Sequence, residues 1–405
     1  MQVGERVFEQ IQESDARPKL MIATRVFGAS GQPWMWRQVV GLQGFRKELL
    51  CWERQNAGTQ PTTDVREHVL PGKLAPYHND GRWLYRSRAI FNGSFYAAIG
   101  EERTRLKELF DKDRPDVILC NFGDIAMRLL PTAREAGIPL VAYFHGDFSF
   151  IRNRWYRWSL YRCLHDFAAI VVVTDAERQW LREHGAPEDK IHYIPCGAPT
   201  DVFRPVPERS DDLVRFVMVS RLSEEKGCDV SIRAFSEVAK QNPKVRLGIF
   251  GDGVERENLG ELVKRLGLVD KVTFHGFIDE LSLAKKLPLH DIFIQHSRIK
   301  EGSPVSIVEA MSCALPVVAT TIGGITDQIA TGQNGYLVSE GDIDGMIAAM
   351  QRLAADPVLR AQLGAIGRER AVACHDAAKQ TRRLGELVMD VTRMSSMKRQ
   401  DALAS

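Results

Sequence analysis

The sequence predicts an α/β protein with two doubly wound parallel-sheet domains, and three observations support this. The chain has 405 residues, too many for one ordinary compact core and suitable for two domains of about 150–200 residues. Short apolar, β-branched runs alternate with longer helical patterns, which is typical of parallel βαβ units. This alternation stops once, at a proline-bearing stretch, and then starts again.

Apolar runs in both halves of the chain are candidate strands. In the first half they are Leu20–Phe27, Leu49–Glu53, Asp116–Asn121, Leu140–Phe144, Ala169–Thr174 and His192–Pro195. In the second half they are Val214–Ser220, Val245–Phe250, Val272–His275, Ile292–Gln295, Pro316–Thr320 and Gly335–Val338. Several runs, such as VILC at 117–120 and FVMV at 216–219, are apolar at every position. Strands that helices cover on both faces have this pattern.

The break in the pattern is CGAPTDVFRPVPERSDD, residues 196–212, which holds three prolines and no periodicity. Such a stretch is typical of an interdomain linker. We therefore expect a first domain over residues 1–196 and a second over residues 212–374. Ligands of open α/β sheets bind beyond the carboxyl ends of the strands. If the two sheets face each other, the ligand site is expected in a cleft between the domains.

Composition excludes several classes of protein. The formal net charge is +2, and both halves are close to neutral, which argues against a nucleic-acid binder. The seven cysteines stand singly, without a CxxC pair, so we expect no disulfide framework and no zinc knuckle. Reduced thiols predict a cytoplasmic location. The first residues carry acids and lack the apolar core of a signal peptide, and the longest apolar runs are far too short to span a bilayer.

The segment at residues 290–320, HDIFIQHSRIKEGSPVSIVEAMSCALPVVAT, is the most informative. A loop leads from a strand to a helix that begins at about Pro304 or Val305, with Ser303 as the expected N-cap. Gly302 allows the backbone to approach a ligand closely. The start of a helix offers unpaired N–H groups and a positive dipole end, which bind phosphates. The segment therefore predicts a diphosphate site.

Charged residues flank this predicted site. Glu301 precedes the helix and Glu309 lies on it, so their carboxylates can accept hydrogen bonds from two parts of one extended ligand, such as sugar and ribose hydroxyls. Arg221 and Lys226 follow another strand at its ligand-binding end. Two cations there suit a leaving diphosphate. The alternative for all four residues is an ordinary solvated surface.

These residues resemble the retaining glycosyltransferase family 4, which has the GT-B fold. Glu301 and Glu309 match its E-x7-E motif, and the paired glycines Gly323–Gly324 and TGQNGYLV follow in the family's order. VMVSRLSEEKGCDVSIRAF is similar to the family's strand–R-x4-K-G–helix segment. The residues that match this second motif are Arg221, Lys226 and Gly227. The resemblance covers the second domain nearly from end to end.

The resemblance implies the activity and the roles of the domains. The first domain would bind the acceptor and the second the nucleotide-sugar donor, with a helix over residues 375–398 crossing back to the first domain. The reaction would transfer a sugar, with retention and without a cofactor or metal, to a saccharide or lipid-linked saccharide, in cell-surface polysaccharide biosynthesis. The implied catalytic residues are His145, Arg221, Lys226 and Glu301. The implied donor-binding residues are Gly31, Gly227, Gly302, Ser303, Pro304, Val305, Ser306 and Glu309.

The first domain resembles the family less closely. Residues 26–42, VFGASGQPWMWRQVVGL, stand where the family has a glycine-bearing loop and a helix, but only Gly31 of the paired glycines is present. This departure looks like the exopolysaccharide, colanic-acid-type branch. His145 follows a strand in a His-Gly element, and the family's histidine there lies near the transferred sugar. The alternative for His145 is a structural role.

Two D-x-D strings invite a metal-binding interpretation. Asp111-Lys112-Asp113 lies in a charged turn, and Asp342-Ile343-Asp344 opens a helix for which Asp342 is a ready N-cap. Neither string leads from a strand into the predicted cleft, so we expect no metal there. GDGVER at 251–256 lacks the third glycine of a dinucleotide-binding motif.

A basic aromatic stretch at residues 151–163, IRNRWYRWSLYRC, holds four arginines, two tryptophans and two tyrosines without an acid. Such segments bind anionic membrane surfaces, which would suit a lipid-linked acceptor. The alternative is a helix that packs its aromatic rings on the domain and solvates its arginines. A second basic aromatic stretch, GRWLYRSR, occupies residues 81–88.

Two other functions remain open at this stage. A GT-B nucleotide-sugar epimerase or hydrolase would share the scaffold but lack the E-x7-E string. A catalytically silent GT-B subunit would bind nucleotide sugar without turning it over. The intact charged residues argue against a catalytically silent subunit, whereas the altered loop at Gly31 is consistent with one.

Overall fold

The architecture comes from a computed structural model, which describes residues 16–29, 33–58, 60–71, 92–146, 153–207 and 211–404. Gly31, the stretch at 81–88 and residues 151–152 of the basic aromatic stretch lie outside the described residues. The contacts divide the chain into two units. The first takes Met1–Val172, Arg178–His192 and Thr381–Ser405, and the second takes Val173–Glu177 and Tyr193–Gln380. The domain boundaries at residues 196, 212 and 374 stay predictions.

The first unit contains a seven-stranded sheet with the order β3-β2-β1-β4-β5-β6-β7. Its strands are β1 (Lys19–Phe27), β2 (Arg46–Arg54), β3 (Val65–Val69), β4 (Val117–Asn121), β5 (Leu140–Tyr143), β6 (Ala169–Val172) and β7 (Ile191–Tyr193). The helices between them are α1 (Pro33–Gly41), α2 (Gly100–Lys112), α3 (Gly123–Glu135), α4 (Arg154–Cys163) and α5 (Asp175–Glu183). The pairs from β3 to β6 are parallel.

The second unit contains a six-stranded parallel sheet with the order β10-β9-β8-β11-β12-β13. Its strands are β8 (Val214–Val219), β9 (Val245–Phe250), β10 (Val272–Gly276), β11 (Ile292–Gln295), β12 (Val317–Thr320) and β13 (Gly335–Val338). The helices are α6 (Cys228–Gln241), α7 (Arg256–Arg265), α8 (Glu280–Lys286), α9 (Val305–Ser312), α10 (Ile325–Gln328), α11 (Ile343–Ala355) and α12 (Pro357–Cys374). A last helix, α13 (Ala377–Ala404), follows.

The central strands are buried because apolar side chains cover both of their faces. All five residues of β4 are buried, and two separate apolar clusters pack on the second sheet. This burial is why runs such as VILC and FVMV predict strands correctly. The parallel α/β fold class is confirmed.

Each sheet has one point at which the strand order reverses. After β8 the chain builds β9 and β10 on one side and returns to place β11 on the other side. The first sheet reverses in the same way between β1 and β4. Ligands of such sheets bind beyond the carboxyl ends of the two strands at the reversal. The loops that follow β8 and β11, and those that follow β1 and β4, are therefore where functional side chains are expected.

Two details of the fold differ from the sequence prediction. Strand β3 was not predicted, because VREHV is a half-exposed edge strand with charged residues between its valines. The helix expected over residues 375–398 begins at Ala377 and continues to Ala404. It starts there because the Asp376 carboxylate accepts a hydrogen bond from the N–H of Lys379 at 3.0 Å, as an N-cap does. Within the described ranges, no helix combines the length and apolar character that crossing a membrane requires.

Candidate functional site

An ion pair between Lys226 and Glu301 lies at the strand-order reversal of the second sheet. Lys226 ends a short 3₁₀ turn, Glu224–Lys226, after β8, and Glu301 lies in the loop after β11. The Lys226 Nζ atom is 2.5 Å from Glu301 Oε1. Both side chains are largely buried, with 19% and 11% of their surfaces exposed. The structure thus brings together two predicted catalytic residues that are 75 positions apart in the chain.

Two neighbours in the same loop hold this pair in place. The Ser297 hydroxyl donates a hydrogen bond to Glu301 Oε1. Arg298 donates from one guanidinium nitrogen to the carbonyl oxygen of Glu224 at 2.8 Å, and from another to Asp229 Oδ2 at 2.8 Å. The backbone N–H of Arg298 also donates to the carbonyl oxygen of Glu225, at 2.9 Å. The loop that carries Glu301 is therefore tied to the turn that carries Lys226.

Close packing of glycines fixes the backbone around the ion pair. A Cβ atom on Gly324 would lie 1.7 Å from the carbonyl oxygen of Gly302, and one on Gly323 would lie 2.1 Å from that of Glu301. Gly227 has a left-handed conformation, with φ of 53°, and a Cβ there would lie 2.7 Å from the His296 carbonyl oxygen. Only glycine fits at these contacts, so the motif glycines are needed for the geometry of the site.

The helix after the loop begins where the sequence predicts, but its N-cap differs. Helix α9 starts at Val305 with Pro304 as the N-cap residue, and no side chain caps it. The expectation of Ser303 as N-cap is wrong, because its hydroxyl instead accepts a hydrogen bond from Gln328 Nε2 at 3.1 Å. The Ser306 hydroxyl donates to Gln295 Oε1 at 3.2 Å. The first N–H groups of α9 lie on the same loop–helix segment as Glu301, and helix starts of this kind attract anions.

The other two charged candidates differ in exposure. Glu309 is 6% exposed and lies on α9. Arg221 follows β8 and has 65% of its side chain exposed, and its guanidinium pairs with Glu225. The loop of Gly251 and Gly253 packs against this segment, since Cβ atoms there would lie 1.9 Å and 2.3 Å from the carbonyl oxygens of Ser220 and Leu222. The GDG sequence thus supports the backbone on either side of Arg221.

The two D-x-D strings have structural partners. Asp342 is the N-cap of α11 and accepts a hydrogen bond from the Gly345 N–H at 2.8 Å, which confirms the sequence prediction. Asp111 and Lys112 lie at the end of α2 rather than in a turn, because the helix continues to Lys112. Asp113 pairs with Lys19 and Arg66.

In the first unit, a chain of neutral side chains lies at the strand-order reversal. His145 follows β5, and its Nε2 atom is 2.8 Å from the Oδ1 atom of Asn121, the last residue of β4. Asn121 donates from Nδ2 to Gln38 Oε1 on α1, at 2.9 Å. The Oδ1 atom of Asn121, which faces the imidazole, can only accept a hydrogen bond. His145 Nε2 therefore carries the proton and donates it.

Aromatic rings surround His145. The centroid of its ring lies 4.1 Å from that of Tyr143, 4.3 Å from that of Trp34 and 5.2 Å from that of Phe122. Desolvation in this setting lowers the pKa of His145 to about 3, because burial penalises the charged imidazolium. The imidazole is therefore neutral at physiological pH.

Helix α4 belongs to the basic aromatic stretch, and only some of its aromatic side chains are buried. Tyr156 is 1% exposed, whereas Trp155, Trp158 and Tyr161 are 45%, 37% and 37% exposed. Phe95 packs beneath both tryptophans, with ring centroids 4.7 Å and 4.9 Å apart. The exposed rings are three residues apart, so they form one stripe along the helix.

Sequence reasoning did not identify the residues that organise these two regions. In the second unit, Ser297 contacts the ion pair, and the contact of Arg298 with Asp229 lies beside it. In the first unit, Asn121 contacts His145 and is itself bound by Gln38. Asn121 could have been found from its position, since it is a polar residue at the carboxyl end of an apolar strand. The contact between Arg298 and Asp229 joins residues 69 positions apart and left no local signal.

Comparison with known protein families agrees with the geometry. The model of glycosyl transferases group 1 matches residues 200–370, and the model of glycosyltransferase family 4 matches residues 62–202. A GDP-mannose-dependent α-(1-6)-phosphatidylinositol monomannoside mannosyltransferase of Mycolicibacterium smegmatis is 30% identical over 308 residues, which are 70% of this chain and 79% of that protein. The chain therefore belongs to this family of glycosyltransferases.

Two further similarities concern the branch and the fold. The putative colanic acid biosynthesis glycosyltransferase WcaL of Escherichia coli K12 is 29% identical over 253 residues, 60% of this chain and 61% of that protein. The crystal structure of Anabaena Alr3699/HepE in complex with UDP superposes with a TM-score of 0.75 at 17% identity, covering 92% of this chain and all of that one. The expected GT-B fold, with two parallel-sheet α/β domains, is confirmed.

Proposed function

We propose that this glycosyltransferase transfers a hexose, with retention of configuration, from a nucleoside-diphosphate sugar to a saccharide or lipid-linked saccharide. The observation that supports this most is the Lys226–Glu301 pair at the strand-order reversal of the second sheet. A cation and a carboxylate in contact can serve two adjacent parts of one ligand, the diphosphate and the sugar hydroxyls. The similarity to WcaL supports a role in cell-surface polysaccharide biosynthesis.

The charged residues of the second unit stabilise the leaving group in this proposal. Negative charge grows on the diphosphate as the bond to the sugar breaks. Lys226, Arg221 and the N–H groups at Gly302–Ser306 stabilise this charge, which is electrostatic catalysis by preorganised donors. Glu301 accepts hydrogen bonds from sugar hydroxyls, and Glu309 accepts them from the ribose. The diphosphate is bound without a metal ion.

The neutral region of the first unit binds the sugar side of the reaction in this proposal. A neutral imidazole exchanges hydrogen bonds with hydroxyl groups and adds no charge next to a cationic, oxocarbenium-like sugar. The aromatic rings around His145 supply apolar surface for the less polar face of a pyranose. None of the seven cysteines, all of which lie in the described residues, forms a disulfide, which suits a reducing, cytoplasmic location.

The exposed stripe on α4 supports peripheral contact with an anionic membrane surface. Arg154, Arg157 and Arg162 are exposed on the same helix as the half-exposed Trp155 and Trp158. Arg154 lies over the ring of Trp155 at 4.8 Å, and Arg162 over that of Trp158 at 5.0 Å. Half-exposed tryptophans beside arginines are typical of the bilayer interface. This contact would bring the chain to a lipid-linked acceptor.

Sedimentation with vesicles tests the membrane contact. The protein should pellet with phosphatidylglycerol vesicles and not with phosphatidylcholine vesicles, and replacing the three α4 arginines by serine should weaken pelleting at least tenfold, since each basic residue contributes about 1 kcal/mol. The control variant carries serine at three exposed arginines of other helices, Arg233, Arg265 and Arg382. Equal pelleting of the two variants would reject the proposed contact.

A panel of UDP- and GDP-sugars, with and without saccharide acceptors, tests the proposed reaction. The expected product is a glycoside with the anomeric configuration of the donor, formed together with free nucleoside diphosphate. An epimerase would alter the donor sugar without an acceptor, and a hydrolase would release free sugar. A silent subunit would bind a donor and leave it intact. A product with the opposite anomeric configuration would reject the proposed retention but not the proposed sugar transfer.

A further inference from the structure

Arg298 and Asp229 form a polar contact next to the proposed donor site that has no role in the proposed reaction. Arg298 precedes Glu301 by three residues, and Asp229 follows Lys226 by three. Their side chains meet at 2.8 Å and are about equally exposed, at 32% and 35%. The guanidinium also donates to the Glu224 carbonyl oxygen at 2.8 Å. One side chain therefore bridges the loop after β11, the 3₁₀ turn and the first turn of α6.

We propose that Arg298 and Asp229 are positioning residues that hold the turn carrying Lys226 in register with the loop carrying Glu301. This inference rests on the proposed function and adds to it the device that sets the distance between the diphosphate-binding cation and the sugar-binding carboxylate. Neither residue contacts the ligand in this proposal. Arg298 affects ligand binding only by fixing the position of Lys226.

The form of the contact supports a positioning role. The 3₁₀ turn is a single turn of three residues, and its last residue carries the catalytic ammonium group. Short 3₁₀ turns have poorer hydrogen-bond geometry than α-helices. Arg298 binds the carbonyl groups of Glu224 with its side chain and of Glu225 with its backbone N–H. The planar guanidinium makes two such contacts at fixed angles, which a lysine ammonium does not do.

A double-mutant cycle between Arg298→Ala and Lys226→Ala tests this role. The probes are GDP and UDP, and the measurement is the dissociation constant of whichever binds the wild-type chain more tightly. Arg298→Ala should weaken binding about tenfold in the wild-type background and less than twofold when Lys226 is already alanine, because residues in one network are not additive. A purely structural role predicts the same factor in both backgrounds.

Conservative variants and a matched control complete the test. Asp229→Ala should match Arg298→Ala, and Arg298→Lys should recover only part of the lost affinity. The control is Arg215→Ala, which removes a contact of similar exposure with Asp211 at 2.7 Å and 2.8 Å, at the amino end of β8 rather than after its carboxyl end. It should lower the thermal midpoint as much as Arg298→Ala while leaving nucleotide affinity unchanged.

The outcomes separate failure of this inference from failure of the proposed function. If the wild-type chain binds neither GDP nor UDP, or if Lys226→Ala binds normally, the proposed donor site is wrong and the inference fails with it. If Lys226→Ala loses affinity while Arg298→Ala keeps it, or if the two losses are additive, the positioning role alone is rejected.

Discussion

The two strand-order reversals have the same topology but a different balance of charged and neutral polar groups. At the second sheet, three cation–carboxylate pairs cluster in the loops after β8 and β11: Lys226–Glu301, Arg298–Asp229 and Arg221–Glu225. At the first sheet, the segments after β1, β4 and β5 hold the neutral chain of Gln38, Asn121 and His145, beside one cation–carboxylate pair, Arg25–Asp124. Aromatic rings pack against His145 there.

Under the proposed function, one sheet topology serves two kinds of ligand. A diphosphate needs fixed positive charge and backbone N–H groups, which the second region provides. The reacting sugar needs a hydrogen-bond partner, and that partner must add no positive charge, because a nearby cation destabilises a developing oxocarbenium ion. A histidine whose pKa falls to about 3 meets both conditions. Four predictions are given below in order of decreasing expected effect, and the first two test this division.

Removing the ammonium group of Lys226 should have the largest effect. Lys226→Ala should lower kcat by about 10²-fold or more, on the scale of deleting one preorganised charge-stabilising donor, and Arg221→Ala should act in the same direction. The matched control is Lys240→Ala, which removes an exposed lysine paired with Glu237. Turnover of Lys226→Ala at the level of Lys240→Ala would contradict the assignment of a charged donor site.

Placing a charge beside His145 should convert the neutral region into an ionic one. In Asn121→Asp a carboxylate replaces the amide that lies 2.8 Å from the imidazole, and an adjacent anion raises the pKa of a histidine. We expect kcat to fall about tenfold at pH 6 and to recover at higher pH, since a cation opposes oxocarbenium-like charge.

The wild-type chain is the reference for this variant. Its kcat should show no transition near pH 6.5, because His145 stays neutral down to its pKa of about 3. A pH–rate profile from pH 5 to 8 measures both proteins. A wild-type transition near pH 6.5 that disappears in His145→Gln would show that the histidine is charged in the working enzyme.

Buried neutral histidines should make the chain less stable in acid. Desolvation lowers the pKa of His375 to about 4, and the side chain is 2% exposed. The unfolded chain binds a proton near pH 6.5 and the folded chain does not, so stability is full above pH 6.5 and falls as the pH drops towards 4. The loss is at most about 1.4 kcal/mol per pH unit for each such histidine.

Urea unfolding between pH 7 and 4.5 measures this effect. His375→Gln should have a flatter stability–pH curve than the wild type. The control is His184→Gln, which changes an exposed histidine and should leave the slope as it is. An unchanged slope in His375→Gln would show that His375 does not carry the effect.

Chelation should have the smallest effect of all. Turnover should persist in EDTA, because the proposed diphosphate partners are Lys226, Arg221 and the N–H groups at the start of α9 rather than a metal ion. The measurement is the initial rate with and without EDTA on protein purified in its presence. Loss of activity that Mg²⁺ or Mn²⁺ restores would reject the metal-free site.

The sequence predicted the parts of the fold that depend on continuous burial. The bounds of β9, β11 and β13 agree with the predicted runs, because each run is mainly apolar: β9 and β11 lie inside the sheet, and β13, although an edge strand, has both of its ends buried. Strand β3 was missed for the opposite reason, since an edge strand needs only one covered face. The Ser303 cap was wrong because a distant residue, Gln328, binds its hydroxyl.

The candidate site divides in the same way. Glu301 and Lys226 were identified because each belongs to a local motif with fixed spacing, and the structure places them in contact. Arg298 and Asp229 were missed because neither motif requires them, and their contact exists only once β8 and β11 lie side by side. Local spacing therefore predicts the residues proposed to bind the ligand better than those proposed to hold them in place.

The division of the chain into units has a consequence for synthesis and for engineering. Residues 381–405 group with the first unit, where Met389 lies beside Gly44 and Leu42 beside Gly385. The second unit, by contrast, has all of its segments once residue 380 has been made. During translation the first unit is therefore begun first but completed last. The apolar surface that the final helix covers stays exposed until that helix has been made. A gene split after residue 380 should therefore yield two fragments that regain the first unit only on reassociation.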